Sequence, residues 1–291
     1  MSDPNKDKDI DEATGVDTTG HEWDGIKELN NPLPRWWLWS FYLCIIWGIG
    51  YVIAYPAWPL INGATTGLLG YSTRGEVAAE IDRYKDQNAE LTSALAEVEL
   101  ASLGDDAELN RFAVSAGGAV FRTNCSQCHG SGAAGAKGYP NLLDDDWLWG
   151  GTIEDIAYTV NHGIRNETDL DAHWSQMPAF GEILEKEEIS QVVHYVMSLS
   201  AAEHDAAKAE AGAVLFDEQC SACHGANAEG DYGIGAPNLA DAIWLYGGDE
   251  DTLVETITYS RFGVMPAWGP RLTPADVNAV AAYVHQLGGG E

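Results

Sequence analysis

From Trp36 to Trp58 the chain runs through 23 mostly apolar positions without a charge. At about 1.5 Å of rise per residue, such a run covers the roughly 30 Å hydrocarbon core of a bilayer. Trp36, Trp37, Trp39 and Trp58 crowd its two ends, as an interfacial aromatic belt does. A cleaved signal peptide starts with a short basic stretch and has an apolar core of only about 7–15 residues. Here a long, mostly acidic segment comes first, so the pattern predicts an uncleaved single anchor. The following PLINGATTGLLGYS is too short and Gly-rich for a second span. Cys44, inside the apolar run, reads as a small buried hydrophobe.

Beyond the anchor the apolar spacing turns helical. Val77, Ile81, Tyr84, Leu91, Leu95 and Val98 recur every three or four residues, interrupted at Asn88 and Ser102, behind a possible Thr73/Glu76 capping box. This stripe predicts a linker helix docked on a partner subunit or on the first of the domains that follow. Ala119, Val120 and Phe121 predict one further helix, and Ile189, Val192, Val193 and Val196 another. The same two signals return at Val214, Leu215 and Phe216 and at Val277, Val280, Ala281 and Val284; Thr273, Pro274 and Asp276 open the last helix. No run shows sustained period-two alternation. The expected fold is mainly α: a cytoplasmic segment 1–34, a transmembrane anchor 35–59, a helical linker 60–106, and two similar domains, 107–201 and 202–291.

The repetition extends to chemistry. Four of the five cysteines fall in NCSQCHG and QCSACHG, where Cys125, Cys128 and His129 match Cys220, Cys223 and His224 at an offset of 95 residues. Cys-x-x-Cys-His is the signature of covalent haem c: the thiols become thioethers and the imidazole an axial iron ligand. A zinc knuckle needs no His directly after its second Cys, and a thioredoxin-like pair needs a βαβ setting that neither motif has. Domains of about 95 residues are small for a purely peptide core, so two covalently bound porphyrins would supply apolar mass.

QMPAFG and VMPAWG place Met177 and Met265 downstream of His129 and His224, and each reads as the sixth ligand of its own repeat's haem. Met197, within a helical run, reads as core filler. His162 or His173 could replace Met177, although Tyr259 stands where His162 would recur. Pro140 and Pro237, in YPNL and APNL, either orient the imidazoles through their carbonyls or only mark turns. Arg165 could pair with a haem propionate or lie on the surface. The first repeat carries about nine extra residues within NHGIRNETDLDAHWSQ.

The formal net charge is −30. Such a field excludes nucleic acid as a partner and suits either solubility or the steering of a basic soluble cytochrome c. Lys27 and Arg35 precede the anchor and the first base after it is Arg74, so the positive-inside rule puts the N-terminus in the cytoplasm. No nucleophile–base set, phosphate loop or copper site appears; the chain reads as an electron carrier and not as an enzyme on its own.

With anchor, duplication and ligands in place, WDGIKELNNPLPRWWLW, GYPNLLDDDWLWGG and HGIR resemble the dihaem cytochrome c subunit of cbb3-type haem–copper oxidases. The resemblance implies two tandem class I cytochrome c domains after a single-pass anchor, held on the periplasmic side of a bacterial inner membrane. It also implies partners: a donor cytochrome c, a monohaem cytochrome c subunit, the haem–copper catalytic subunit and the lipid bilayer. A dihaem cytochrome of another membrane complex, such as a dehydrogenase or nitric oxide reductase, is the alternative. A dihaem peroxidase needs an iron that can open, which the paired Met-Pro motifs argue against.

Overall fold

A computed structural model describes residues 9–56 and 58–290. Residues 1–8 of the expected cytoplasmic segment, with Met1, and Ala57 of the expected anchor lie outside the described residues. The chain divides into two compact units, 1–86 and 87–291.

The first unit opens with a hairpin. Strand β1 (Thr18–Trp23) pairs antiparallel with β2 (Ile26–Leu29) across Asp24-Gly25, both at positive φ, 48° and 81°. Asp-Gly is the pair that a tight hairpin turn favours. Helix α1 (Arg35–Ala54) is long and apolar enough to cross a membrane, and none of its side chains is buried by protein. That corrects the expectation for Cys44: it is exposed on α1, and an apolar environment for it would come from lipid. The helix stops at Tyr55, before Pro56, so Trp58 lies beyond it. A two-residue ladder, β3 (Pro59–Leu60) with β4 (Gly63–Ala64), follows. The chain then folds back so that Leu68 and Leu69 donate to the carbonyls of Ile53 and Ala54. Helix α2 (Thr73–Gln87) is capped by Ser72, whose hydroxyl accepts from Gly75 N–H at 3.2 Å, not by Thr73. Val77, Ile81 and Tyr84 are exposed on it.

The linker stripe is therefore split at Asn88. Its second half, helix α3 (Ala89–Glu97), belongs to the other unit, where Leu91, Leu95 and Val98 pack with Leu103 and Leu109. Helix α4 (Ala107–Asn124) is capped by Asp106 and runs into a short turn, α5 (Ser126–His129). Helix α6 (Ile153–His162) starts at Thr152, and α7 (Lys186–Leu199) at a Glu185/Glu188 capping box. The second repeat supplies α8 (Ala206–Gln219), α9 (Ser221–His224), α10 (Glu250–Tyr259) and α11 (Pro274–His285). Thr273 and Asp276 form the expected capping box of α11.

The repeats do not close on themselves. Helix α7 packs on α8 of the second repeat, and α11 packs back on α4 and α6 of the first. One core joins Phe121, Ile156 and Val160 to Val277, Val280 and Val284; another joins Ile189, Val193 and Val196 to Phe216 and Leu253. Met197 is buried in the latter, as core filler should be. The expectation that contiguous stretches 107–201 and 202–291 each fold around their own site is corrected in packing: each half borrows its last helix. The cause is connection length. Only residues 200–205 separate α7 from α8, a span that favours an antiparallel helical hairpin over a return to α4.

Equivalent glycines make both crossings possible. A Cβ on Gly117 of α4 would lie 2.0 Å from the Ala279 carbonyl oxygen, and one on Gly212 of α8 would lie 2.0 Å from that of Gln191. Alanine would gain up to ~1 kcal/mol of helix propensity at such a position, but the neighbour is backbone and cannot give way. Gly117→Ala should therefore lower stability by about 1–3 kcal/mol in thermal or denaturant unfolding. Gly104→Ala, with nothing within 4 Å, should be near neutral.

Candidate functional site

Each Cys-x-x-Cys-His stretch is placed by a helix end. Cys125 is the C-cap residue of α4 and Cys220 that of α8, and the next turn of helix presents His129 or His224. The chain then reverses at Gly130 and Gly225, with φ of 81° and 80°. The two loops share several hydrogen bonds. His129 O accepts from Gly135 N–H and His224 O from Gly230 N–H, both at 2.8 Å. Leu142 donates to Ala133 and Leu239 to Ala228, again at 2.8 Å.

His129 Nδ1–H donates to the Pro140 carbonyl at 3.1 Å, and His224 Nδ1–H to the Pro237 carbonyl at 3.0 Å. That bond fixes ring and tautomer and leaves Nε2 as a lone-pair donor for a metal. Burial holds both imidazoles below the ordinary histidine range, against the opposing pull of the proline carbonyls, so both are neutral as ligation requires. Burial, then the neighbouring Cys128 or Cys223, pushes the thiols of Cys125 and Cys220 up to about 11.

The methionines are exchanged along with the helices. Met177 lines a cavity of about 630 Å³ with Cys220, Cys223, His224 and Pro237. Met265 and Cys125 both pack against the core of Phe121, Ala133 and Val160. The pairing expected from chain order, His129 with Met177 and His224 with Met265, is thus reversed. Met265 is held by reciprocal backbone bonds with Ile164, at 2.9 and 3.0 Å; the Met177 carbonyl accepts from the Ser260 hydroxyl.

Neither alternative histidine lines the cavity that contains Met177. His162 Nδ1 faces Asp169 at 3.2 Å and its Nε2 accepts from the Asn161 amide at 2.9 Å. His173 Nε2 lies 3.1 Å from the Thr159 hydroxyl, and the ring stacks on Trp149 at 4.3 Å. Arg165 is in the left-handed region, φ 49°, and donates to the carbonyls of Gly263 (2.7 Å) and Ser175 (2.9 Å). It lines the cavity of His224.

Sequence reasoning missed three residues, two of them on this cavity. Lys137 and Arg261 line it with Arg165, which gathers positive charge in a chain of net charge −30. Trp149 is almost fully buried with no partner for its indole N–H. A large, mostly apolar cavity with two thiols, a neutral imidazole and a thioether, edged by bases, fits a haem and its two propionates.

Family models match along most of the chain: the N-terminal domain of cytochrome oxidase-cbb3, FixP, over residues 15–62, cytochrome c over 114–200, and cytochrome c oxidase, cbb3-type, subunit III over 207–284. The cbb3-type cytochrome c oxidase subunit CcoP of Cereibacter sphaeroides is 59% identical over 276 residues, covering 94% of this chain and 95% of its own. The FixP subunits of Sinorhizobium medicae and Rhizobium meliloti are 52% and 50% identical, each covering 98% of this chain and 99% of their own. The chain belongs to the CcoP/FixP family of cbb3-type cytochrome c oxidase subunits. Its cytochrome c domains imply covalently bound haem c, and the α1 anchor fits a membrane-held member of that family.

One carboxyl on the cavity wall gives a pH test. Burial, reinforced by Asp241, Asp144 and Asp145, raises the Asp146 carboxyl to about 6. A folded-state value above the unfolded one near 3.9 means that the fold binds this proton more tightly. Its ionisation thus costs stability above pH 6, and that cost disappears as pH falls toward 4. Asp146→Asn should melt at a higher temperature than the parent at pH 7.5, and the gap should close by pH 4. A variant less stable at pH 7.5 would contradict this assignment.

Proposed function

We propose that the chain is a dihaem electron relay, tethered by α1 and passing electrons from a donor cytochrome c to the monohaem and catalytic subunits of a cbb3-type oxidase. The observation that carries this is the matched pair of sites. Each repeat brings a Cys-x-x-Cys-His turn, a proline carbonyl on the imidazole, and a methionine delivered by the opposite repeat. In this reading Cys125 and Cys128 hold one haem between His129 and Met265, and Cys220 and Cys223 hold the other between His224 and Met177. Haem iron supplies the one-electron chemistry.

The protein's part is to keep that chemistry to electrons alone. Protein ligands on both faces close the metal to small molecules, and thioether ligation raises its potential. The proline carbonyls keep the imidazoles from turning away. Lys137, Arg165 and Arg261 offset carboxylate charge at one cavity. Lys27 and Arg35 before α1, with no further base until Arg74, orient the anchor with the haem domains on the periplasmic side of the inner membrane. That acidic surface suits a basic donor cytochrome.

A haemochrome assay on the purified chain should return two haems. The exchanged ligation is read in a background lacking the first haem, Cys125→Ser with Cys128→Ser. There Met177→Ala should abolish the remaining methionine–iron absorption band and lower the remaining potential, while Met265→Ala leaves both in place. The reverse outcome would restore pairing within each repeat.

A further inference from the structure

Among the described residues, the only buried side-chain nitrogen or oxygen without a hydrogen-bond partner is Nε1 of Trp149. Indole N–H is a donor only, and leaving it buried and unpaired costs its full desolvation. The ring cannot turn to find water. One face stacks on His173, with the planes 19° apart and the centroids 4.3 Å apart, and His173 is itself held by Thr159. On the second repeat's loop, Gly235 leaves just enough room: a Cβ there would lie 2.2 Å from the indole.

The duplication says what the N–H faces. Trp147-Leu148-Trp149 in the first repeat corresponds to Trp244-Leu245-Tyr246 in the second. Trp244 and Tyr246 line the cavity that holds His224 and Met177, as does Thr256, the counterpart of Thr159. Trp147 packs against the same core as Cys125 and Met265. By the same correspondence Trp149 stands at the site of His129 as Tyr246 stands at that of His224. Both positions carry an aromatic side chain with a polar hydrogen. The group that the Cys125 site is built to take brings two carboxylates. We infer that the Trp149 indole N–H is a propionate anchor of the haem held by His129. This rests on the dihaem reading above.

The test uses the full-length protein with Trp149→Phe, which removes the donor and keeps the ring. A haemochrome count of two and an intact methionine–iron band show that the dihaem reading stands, independently of the anchor. Spectroelectrochemical titration then reads the two midpoints. An uncompensated propionate charge favours ferric iron, so one midpoint should fall. It should be the one that Met265→Ala also moves, with the other unchanged. Trp149→Tyr, which copies the second repeat and keeps a donor, should recover most of the shift. Unmoved midpoints, a shift confined to the other haem, or equal shifts with Phe and Tyr would overturn the assignment. If Trp149→Phe fails to take up two haems, ¹⁵N-tryptophan labelling of the unmodified protein decides. An indole N–H bound to a propionate exchanges slowly with D₂O and moves with iron oxidation state; a spectrum without such a signal overturns the anchor.

Discussion

The close crossing of α11 over α4, with its counterpart of α7 over α8, is the contact on which the rest depends. Two backbones meet where Gly117 faces Ala279 and where Gly212 faces Gln191. Both glycines stand eight residues before the first cysteine of their repeat, so each crossing fixes the helix that presents the cysteines and the imidazole. Because the crossing helices come from opposite repeats, neither site can be completed by a contiguous half of the chain. The two sites are one cooperative structure, with α3 joined to it through Leu95 and the Asn278 amide, which donates to the Leu95 carbonyl at 2.8 Å.

Electrostatics divides the molecule by location. The surface is overwhelmingly acidic, yet Lys137, Arg165 and Arg261 converge on one cavity. Arg165 is held there in a strained backbone conformation by bonds to carbonyls of both repeats, Ser175 and Gly263. Such placement makes sense for a group that must meet carboxylates in a low-dielectric wall, where a guanidinium is worth more than on the surface. Asp146, on the same wall, shows the opposite case: its carboxyl is disfavoured as an anion because it is buried and its charged neighbours are also acids.

What could be read from the sequence was what is local. The Cys-x-x-Cys-His turns, the proline partners and the buried faces of α7 and α11 all lie within short windows whose periodicity or spacing carries the physics. The pairing of the methionines was not legible from likeness between repeats, because two similar repeats offer each helix two equivalent partners. Only the six-residue connection after α7 breaks that tie, and it is a fact about loop length, not about motif. Asn88 was noticed as an interruption, but its effect as the break between α2 and α3 depends on tertiary contacts that bury Leu95 and leave Ile81 exposed. The Asp24-Gly25 hairpin carried a turn signal that a mainly helical reading passed over. Nothing in the sequence marks Trp149, because its unpaired indole N–H is a property of its tertiary surroundings.

The exchange is locked by the backbone. A methionine side chain is flexible and would hold a ligand position poorly on packing alone. Here the backbone of each methionine is fastened by the repeat that owns the imidazole across the site. Met265 pairs with Ile164, just past the end of α6, and Met177 is tied to Ser260, just past the end of α10. The two fastening points are repeat-equivalent: Gly163 and Ser260 are the C-cap residues of α6 and α10, at φ of 76° and 56°. At Gly163 a side chain would strike the Met265 carbonyl, 2.3 Å away, so the left-handed turn exists to let the foreign strand approach. The thioether is thus presented by backbone geometry before any metal engages it. A ligand so placed moves little when the charge on its partner changes, which is what an electron carrier requires of its surroundings.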